Sequence, residues 1–199
     1  MPVDPSAVHR NVTELLSRLG TAGVLPVRPP AQGLDALVSS AAEILEVDCV
    51  GVLLLDETDQ MRAVAASAPL AAELEQAQAA LGIGPGIDSV ARSSTISVAD
   101  LSQDAAYRPL ADRLAEPGAR AVVSAPVWVN DAVAGNLNAI RSESHEWSGA
   151  EIEAVEAYAA LVATLLRFSA ATISETGTRT AGEPAEDEPI GKPAPGSGS

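Results

Sequence analysis

A chain of 199 residues that is 47% hydrophobic is long enough for one domain with a true core plus extensions. Only 3% of it is aromatic, so the core must be assembled from Ala, Val, Leu and Ile, and a pocket inside it lacks rings to clamp a large planar ligand. A formal charge of −15 repels phosphate backbones and anionic lipid, which disfavours direct binding to nucleic acid or to a membrane surface.

The N-terminal "MPVDPSAVHR" has no basic region followed by an apolar run, so it does not read as a secretory signal. No window reaches the roughly 18 apolar residues of a membrane span. The expected compartment is the cytoplasm. Residues 6–19 place Val8, Val12, Leu15, Leu16 and Leu19 on one helical stripe that ends at Gly20. The proline- and glycine-bearing "TAGVLPVRPPAQG" follows as a linker. Residues 1–33 therefore read as an amphipathic helix on a tether, its stripe in need of a surface such as a partner chain.

From Leu34 the pattern is helical again, with Leu34, Leu37, Val38, Ala41 and Leu45 on one face. "DCVGVLLLD" (48–56) is a near-continuous apolar run, the mark of a strand covered on both sides. It holds Cys49, the single cysteine, which excludes an internal disulfide or a cysteine-rich metal site. A polar turn at Asp56–Asp59 leads into a returning antiparallel strand at 62–68. Residues 69–81 form a helix with Pro69 in its first turn, where a missing N–H costs nothing.

The next stretch, "LGIGPGIDSVARSSTISVADL", crowds Gly82, Gly84, Pro85 and Gly86 ahead of a short helix at 87–92. A dinucleotide fingerprint needs G-x-G-x-x-G after a strand, and a Walker-type loop needs a lysine. Here the spacing is wrong, the preceding element is a helix, and the only lysine is Lys192 in the tail. Asp88 also occupies the first turn, where a bound anion would have to sit. The glycines therefore read as a tight passage over the sheet, not as a phosphate cradle.

"TISVADL" reads as a strand, and "DAAYRPLADRLAEPG" as one or two short helices broken at Pro109. "RAVVSAPVWV" (120–129) and "AVAGNLNAI" (132–140) are strands joined at Asn130–Asp131, a hairpin signal. Ser148 and Glu151 make a capping box for a last long helix, striped by Ile152, Val155, Ala159, Val162, Leu165 and Leu166. Beyond Phe168 the pattern ends. Residues 169–199, with five acids against Arg179 and Lys192, are expected to remain a disordered acidic tail. The order of elements calls for an α+β domain over 34–168. Its antiparallel sheet carries the framing helices on one face and a helix-loop insertion over the other, with room for a ligand between sheet and insertion.

The segment from Gly84 through Ala91, Ile96, Val98, Asp100 and Leu101 to Asp104 resembles the middle of GAF domains. The strands with Ser124, Pro126 and "GNLN", followed by the capped helix, are similar to the family's final part, and the likeness spans about 30–168. Ser93–Ser94 stands where many members carry a glycine. The resemblance implies a GAF/PAS-like fold and a bacterial sensory or regulatory module. Such a module binds a small molecule non-covalently, or homodimerises through its terminal helices to signal to a partner protein. The signature of cyclic-nucleotide members is missing, methionine-sulfoxide reductase members use several cysteines, and bilin members need a cysteine near the pocket. The cofactor is thus unknown from the sequence. Relatives often continue into an output domain, so this chain is expected to stand alone. The alternative is a ligandless adaptor with a closed aliphatic core.

Asn136 and Asn138 are two apart on one strand and share a face; they offer amides to a cavity, or else find neighbouring backbone or water. Ser124 alternates with Val122 and Pro126 and would line the same space, while Pro126 marks an edge or bulge. Asp88, Arg92, Asp100, Tyr107 and Arg108 gather on the roofing insertion, either to read an acidic or planar ligand or as ordinary surface charge. His9 and His145 have no companions at metal-ligand spacing. Trp128 and Trp147 would flank a ligand or simply fill the core and the helix entry. No nucleophile frame is present, and the paired carboxylates fall on helices expected to be exposed, so the chain is not expected to be an enzyme.

Overall fold

The computed structural model describes the backbone of residues 30–114 and 118–179 and the side chains of 33–114 and 118–168. The expected helix at 6–19 and residues 180–199 lie outside the described residues. In chain order the elements are α1 (Pro30–Ile44), β1 (Cys49–Leu55), β2 (Met61–Ala66), α2 (Pro69–Leu81) and α3 (Pro85–Arg92). There follow β3 (Ile96–Val98), α4 (Arg108–Ala111), β4 (Ala121–Val129), β5 (Ala132–Arg141) and α5 (Gly149–Arg179).

The five strands form one sheet in the order β2-β1-β5-β4-β3, with every neighbouring pair antiparallel. β1 is buried along most of its length because α1 and α5 cover one sheet face while α2 and α3 cover the other. The β4–β5 hairpin turns on Asn130 and Asp131, both at positive φ (50° and 65°), the geometry a two-residue turn needs to match the strand twist.

Two apolar cores result. On one face, Leu34, Val38 and Ala41 of α1, Leu45 just after it, and Val155, Tyr158, Ala159 and Val162 of α5 bury against Val50, Val123 and Leu137. On the other, Ala71 and Leu74 of α2 meet Leu101, Tyr107, Leu110, Val122 and Ile140. This is the expected α+β arrangement, with framing helices behind and the insertion in front.

Several boundaries differ, among them β2, which runs Met61–Ala66 rather than 62–68, and β3, which spans only Ile96–Val98 of the expected 95–101. α1 starts at Pro30 rather than Leu34, and α3 at Pro85 rather than 87. Pro109 does not break a helix; it lies in the first turn of α4. In all three places proline's fixed φ is already helical and its absent N–H would have had no partner. α5 continues past Phe168 to Arg179, since Ser169–Thr176 contains neither proline nor glycine to stop a helix already propagating. Its start is as read: the Glu151 N–H donates to Ser148 Oγ at 3.3 Å and the Ser148 N–H donates to Glu151 Oε2 at 2.8 Å, the two bonds of a capping box.

Candidate functional site

The register lines up Gly51 of β1, Asn138 of β5 and Ser124 of β4 across three adjacent strands. Asn136 lies two residues along β5 on the same face. That face looks toward α2 and α3. On α2, the helical period that buries Ala71 and Leu74 also turns Glu75 and Gln78 inward. All five polar side chains, Glu75, Gln78, Ser124, Asn136 and Asn138, are completely buried.

They form one chain of hydrogen bonds. Asn138 Nδ2 donates to both carboxyl oxygens of Glu75, at 2.7 and 2.8 Å. Gln78 Nε2 donates to Glu75 Oε2 at 3.1 Å. Asn136 Nδ2 donates to Asn138 Oδ1 and to Ser124 Oγ, both at 2.8 Å. The roof joins through the Gly86 N–H, which donates to Gln78 Oε1 at 2.8 Å. Asn136 Oδ1 and, on α3, Ser89 Oγ are buried with no partner among the described residues.

Burial raises the Glu75 carboxyl to about 8, and the bonds from Asn138 and Gln78 only partly oppose this. Among the described residues no cation bonds to it.

The glycine question is answered here. At Gly84 (φ 153°) an added Cβ would collide with Gln78 Oε1, and at Gly51 it would collide with Glu75 Oε1. Backbone must come this close for the polar side chains to fit beneath the roof. The glycines make room for an internal acid-amide cluster, and the Gly86 N–H is engaged by Gln78 Oε1.

The eight residues singled out from sequence divide into separate groups. Ser124, Asn136 and Asn138 come together as described, in a packed cluster rather than an open cavity. Asp88 Oδ2 accepts from Tyr107 Oη at 2.9 Å and from Arg92 Nη2 at 2.8 Å, tying the lead-in of α4 to α3. Burial first and then Asp88 push the Tyr107 phenol up. Asp100 takes a fork of bonds from Arg120, Nε at 3.0 Å and Nη2 at 2.6 Å, which holds its carboxyl well below the usual range. Arg108 is exposed at the start of α4, and no hydrogen bond joins it to these groups among the described residues.

Two expectations are corrected. Trp128 does not fill the core; it is 44% exposed. The carboxylates of α2 do not all face solvent, since Glu75 is the centre of the cluster. Its signal was available: Glu75 and Gln78 stand at helical spacing from Ala71 and Leu74. Trp147 is half-buried at the helix entry, where its Nε1 donates to Val98 O at 3.2 Å. Two open surface grooves of about 550 and 520 Å³ lie elsewhere, one beside Trp128 and Arg167, the other beside Asp100 and His145. Among the described residues no group of three or more His, Cys, Asp or Glu side chains is placed to hold a metal, and no helix is long and apolar enough to cross a membrane.

With this geometry in hand, the chain can be set beside known proteins. No curated protein matches it. Among solved structures it is similar to the GAF domain of a phosphoenolpyruvate-protein phosphotransferase from Coxiella burnetii, at 18% identity and a TM-score of 0.62, over 85% of this chain and 96% of that one. A domain of a putative two-component sensor histidine kinase from Sinorhizobium meliloti aligns at 19% identity and TM-score 0.59, covering 71% and 92%. A type II free methionine-R-sulfoxide reductase from Thermoplasma acidophilum aligns at 16% and 0.55, covering 70% and 93%. At such identities these structures show the fold alone. The family model described as GAF domain matches residues 29–166, from just before α1 to a point within α5. GAF domains are in general sensory or regulatory modules of signalling proteins, and this chain belongs to that family.

Proposed function

We propose that the chain is a regulatory, non-catalytic GAF module whose input site is the Glu75–Asn138–Asn136–Ser124 cluster beneath α3. The observation that carries this reading is a set of completely buried polar side chains in which Asn136 Oδ1 and, separately, Ser89 Oγ on α3 have no partner among the described residues. A packed domain rarely leaves such atoms bare, because each costs about 1–3 kcal/mol. A small polar ligand rich in N–H groups would satisfy both, once α3 lifts to admit it. A buried Cys49 thiol, raised to about 12 by burial and then by Asp48 and Glu75, gives no support for a thiol nucleophile.

The output would be homodimerisation through the terminal helices and contact with a signalling partner. Ile44 near the end of α1 (38% exposed) and Phe168 on α5 (69% exposed) leave apolar surface on these helices. A second reading, the ligandless adaptor, is favoured by the closure of the cluster as it stands.

Calorimetric titration of the full chain with a panel of small polar metabolites, paired with light scattering, separates the two. The sensor reading expects a binder whose affinity falls at least tenfold in Asn138→Leu and is unchanged in Arg108→Ala. A stable dimer that binds nothing on the panel would leave the adaptor.

A further inference from the structure

We infer that the amphipathic segment 6–19 of this chain docks as a helix along α5, in the groove beside Trp128, and caps the open edge of β4. The inference goes beyond the proposed function: it concerns the sheet edge, not the Glu75 cluster, and it needs no ligand.

The site begins with an unfinished sheet edge. β3 pairs with β4 only from Val98 opposite Val122 to Ile96 opposite Ser124. From Pro126 onward β4 keeps β5 on one side and, among the described residues, no strand on the other. A bare edge of this kind invites pairing with foreign chains, and folded proteins cover it with a helix or a loop. Trp128 stands on this stretch and is exposed, although its ring gains from burial. The groove of about 550 Å³ beside it has apolar walls in Pro126, Trp128, Ala160 and Ala163, with Glu156 and Arg167 bounding it along α5. Thr95 Oγ1 donates to Glu156 Oε1 at 2.6 Å, which ties the 93–95 loop to the helix as the remaining wall.

Spacing, reach and charge together name the occupant. Glu156, Ala160, Ala163 and Arg167 follow one another at intervals of four, three and four residues, and Val8, Val12, Leu15 and Leu19 repeat those intervals. Each set makes one helical stripe about 17 Å long. The small side chains of Ala160 and Ala163 let a second helix approach to about 8 Å, the close end of the usual range.

The tether ends in the right place. Gly33 of α1 lies against Leu165, with 3.5 Å from its virtual Cβ to either Leu165 methyl. Two residues along a helix turn about 200°, so α1 and the groove flank α5 on opposite sides. Residues 20–29 extend to roughly 33 Å, and the helix they must cross is about 10 Å wide.

Charge points the same way. Residues 6–29 carry Arg10, Arg18 and Arg28 against one acid, Glu14, whereas residues 34–168 carry 20 acids against seven arginines. The segment is thus a cationic strap on an acidic body. A second copy would instead bring its own acidic domain against this one, which the net charge opposes.

The test is paramagnetic broadening in the ¹⁵N-labelled full chain, with a nitroxide on Ser17→Cys. The native Cys49 is buried and stays unlabelled. Ser17 lies on the polar side of the segment, so the label leaves the stripe intact. The Trp128 indole N–H and the Ala160 amide should lose most of their intensity, and Leu15→Asp in the same labelled chain should restore both. Residue 15 lies outside the domain core, so this change leaves the rest of the spectrum as a check on folding. In a mixture of ¹⁵N chains without nitroxide and unlabelled chains carrying it, both signals should stay sharp. Broadening in that mixture assigns the groove to a second copy. An unbroadened Trp128, or broadening that Leu15→Asp leaves in place, leaves the groove to another protein. Either result overturns the inference.

Discussion

At Glu75 the domain buries a carboxyl with amides and, among the described residues, no cation for company, and the sign of the consequence follows from its two protonation states. Its side chain is raised from an ordinary 4.5 to about 8 by burial. Between those values the folded chain holds a proton that the unfolded chain has released, so stability falls as pH rises, by up to about 1.4 kcal/mol per pH unit. Below 4.5 and above 8 this contribution is flat. The Asp48, Asp56, Asp100 and Glu151 carboxyls are lowered, so their contributions are lost only in acid, outside this window. Urea denaturation at pH 5 to 9 should therefore show a decline in the wild type that Glu75→Gln removes. Parallel curves would mean that Glu75 does not titrate in this range. At this scale the sequence exposed Asn136 and Asn138 on one strand face, with Ser124 of the neighbouring strand lining the same space. It hid Glu75, because a carboxylate in a helix reads as solvent-facing until its own neighbours, Ala71 and Leu74, are counted into the stripe.

Elements were legible wherever local chemistry alone sets them. α2 spans the expected 69–81, and the β4–β5 hairpin and the cap of α5 fall where turn and capping residues dictate. What the local pattern misjudged was proline, read as a breaker at Pro109 where it starts a turn. The closeness of α3 to α2 is a tertiary property, set by backbone passing over Gln78 at Gly84. Gly84→Ala should cost about 2–4 kcal/mol, from a strained φ together with an overpacked contact. Adding Gln78→Ala should recover the contact part and not the strain, so the two changes will be non-additive in urea denaturation. Simple additivity would show that Gly84 is needed for its φ alone.

For the whole molecule, 27 acidic residues against 12 basic ones set a repulsion that the compact state must bear. The described ion pairs, such as Arg62–Asp56 and Arg92–Asp88, are partly exposed and contribute little each. Raising salt screens the net repulsion more than it weakens these pairs. The melting temperature should therefore rise between low salt and about 0.5 M sodium chloride, where the Debye length shrinks to a few Å. A fall would show that specific pairing outweighs net charge. The same acidity agrees with a module that acts through protein contacts and small ligands.

Periodicity and turn chemistry are local, so the sequence by itself determined the order of helices and strands, the α+β layering and the family. Only the tertiary structure decided that the space between sheet and insertion is closed by an acid-amide cluster. Glu75 and Asn138 are brought together across 63 positions of chain, and their protonation and bonding depend on being dry. No pattern along the chain records dryness, because it arises when α2, α3 and the sheet exclude water from one another.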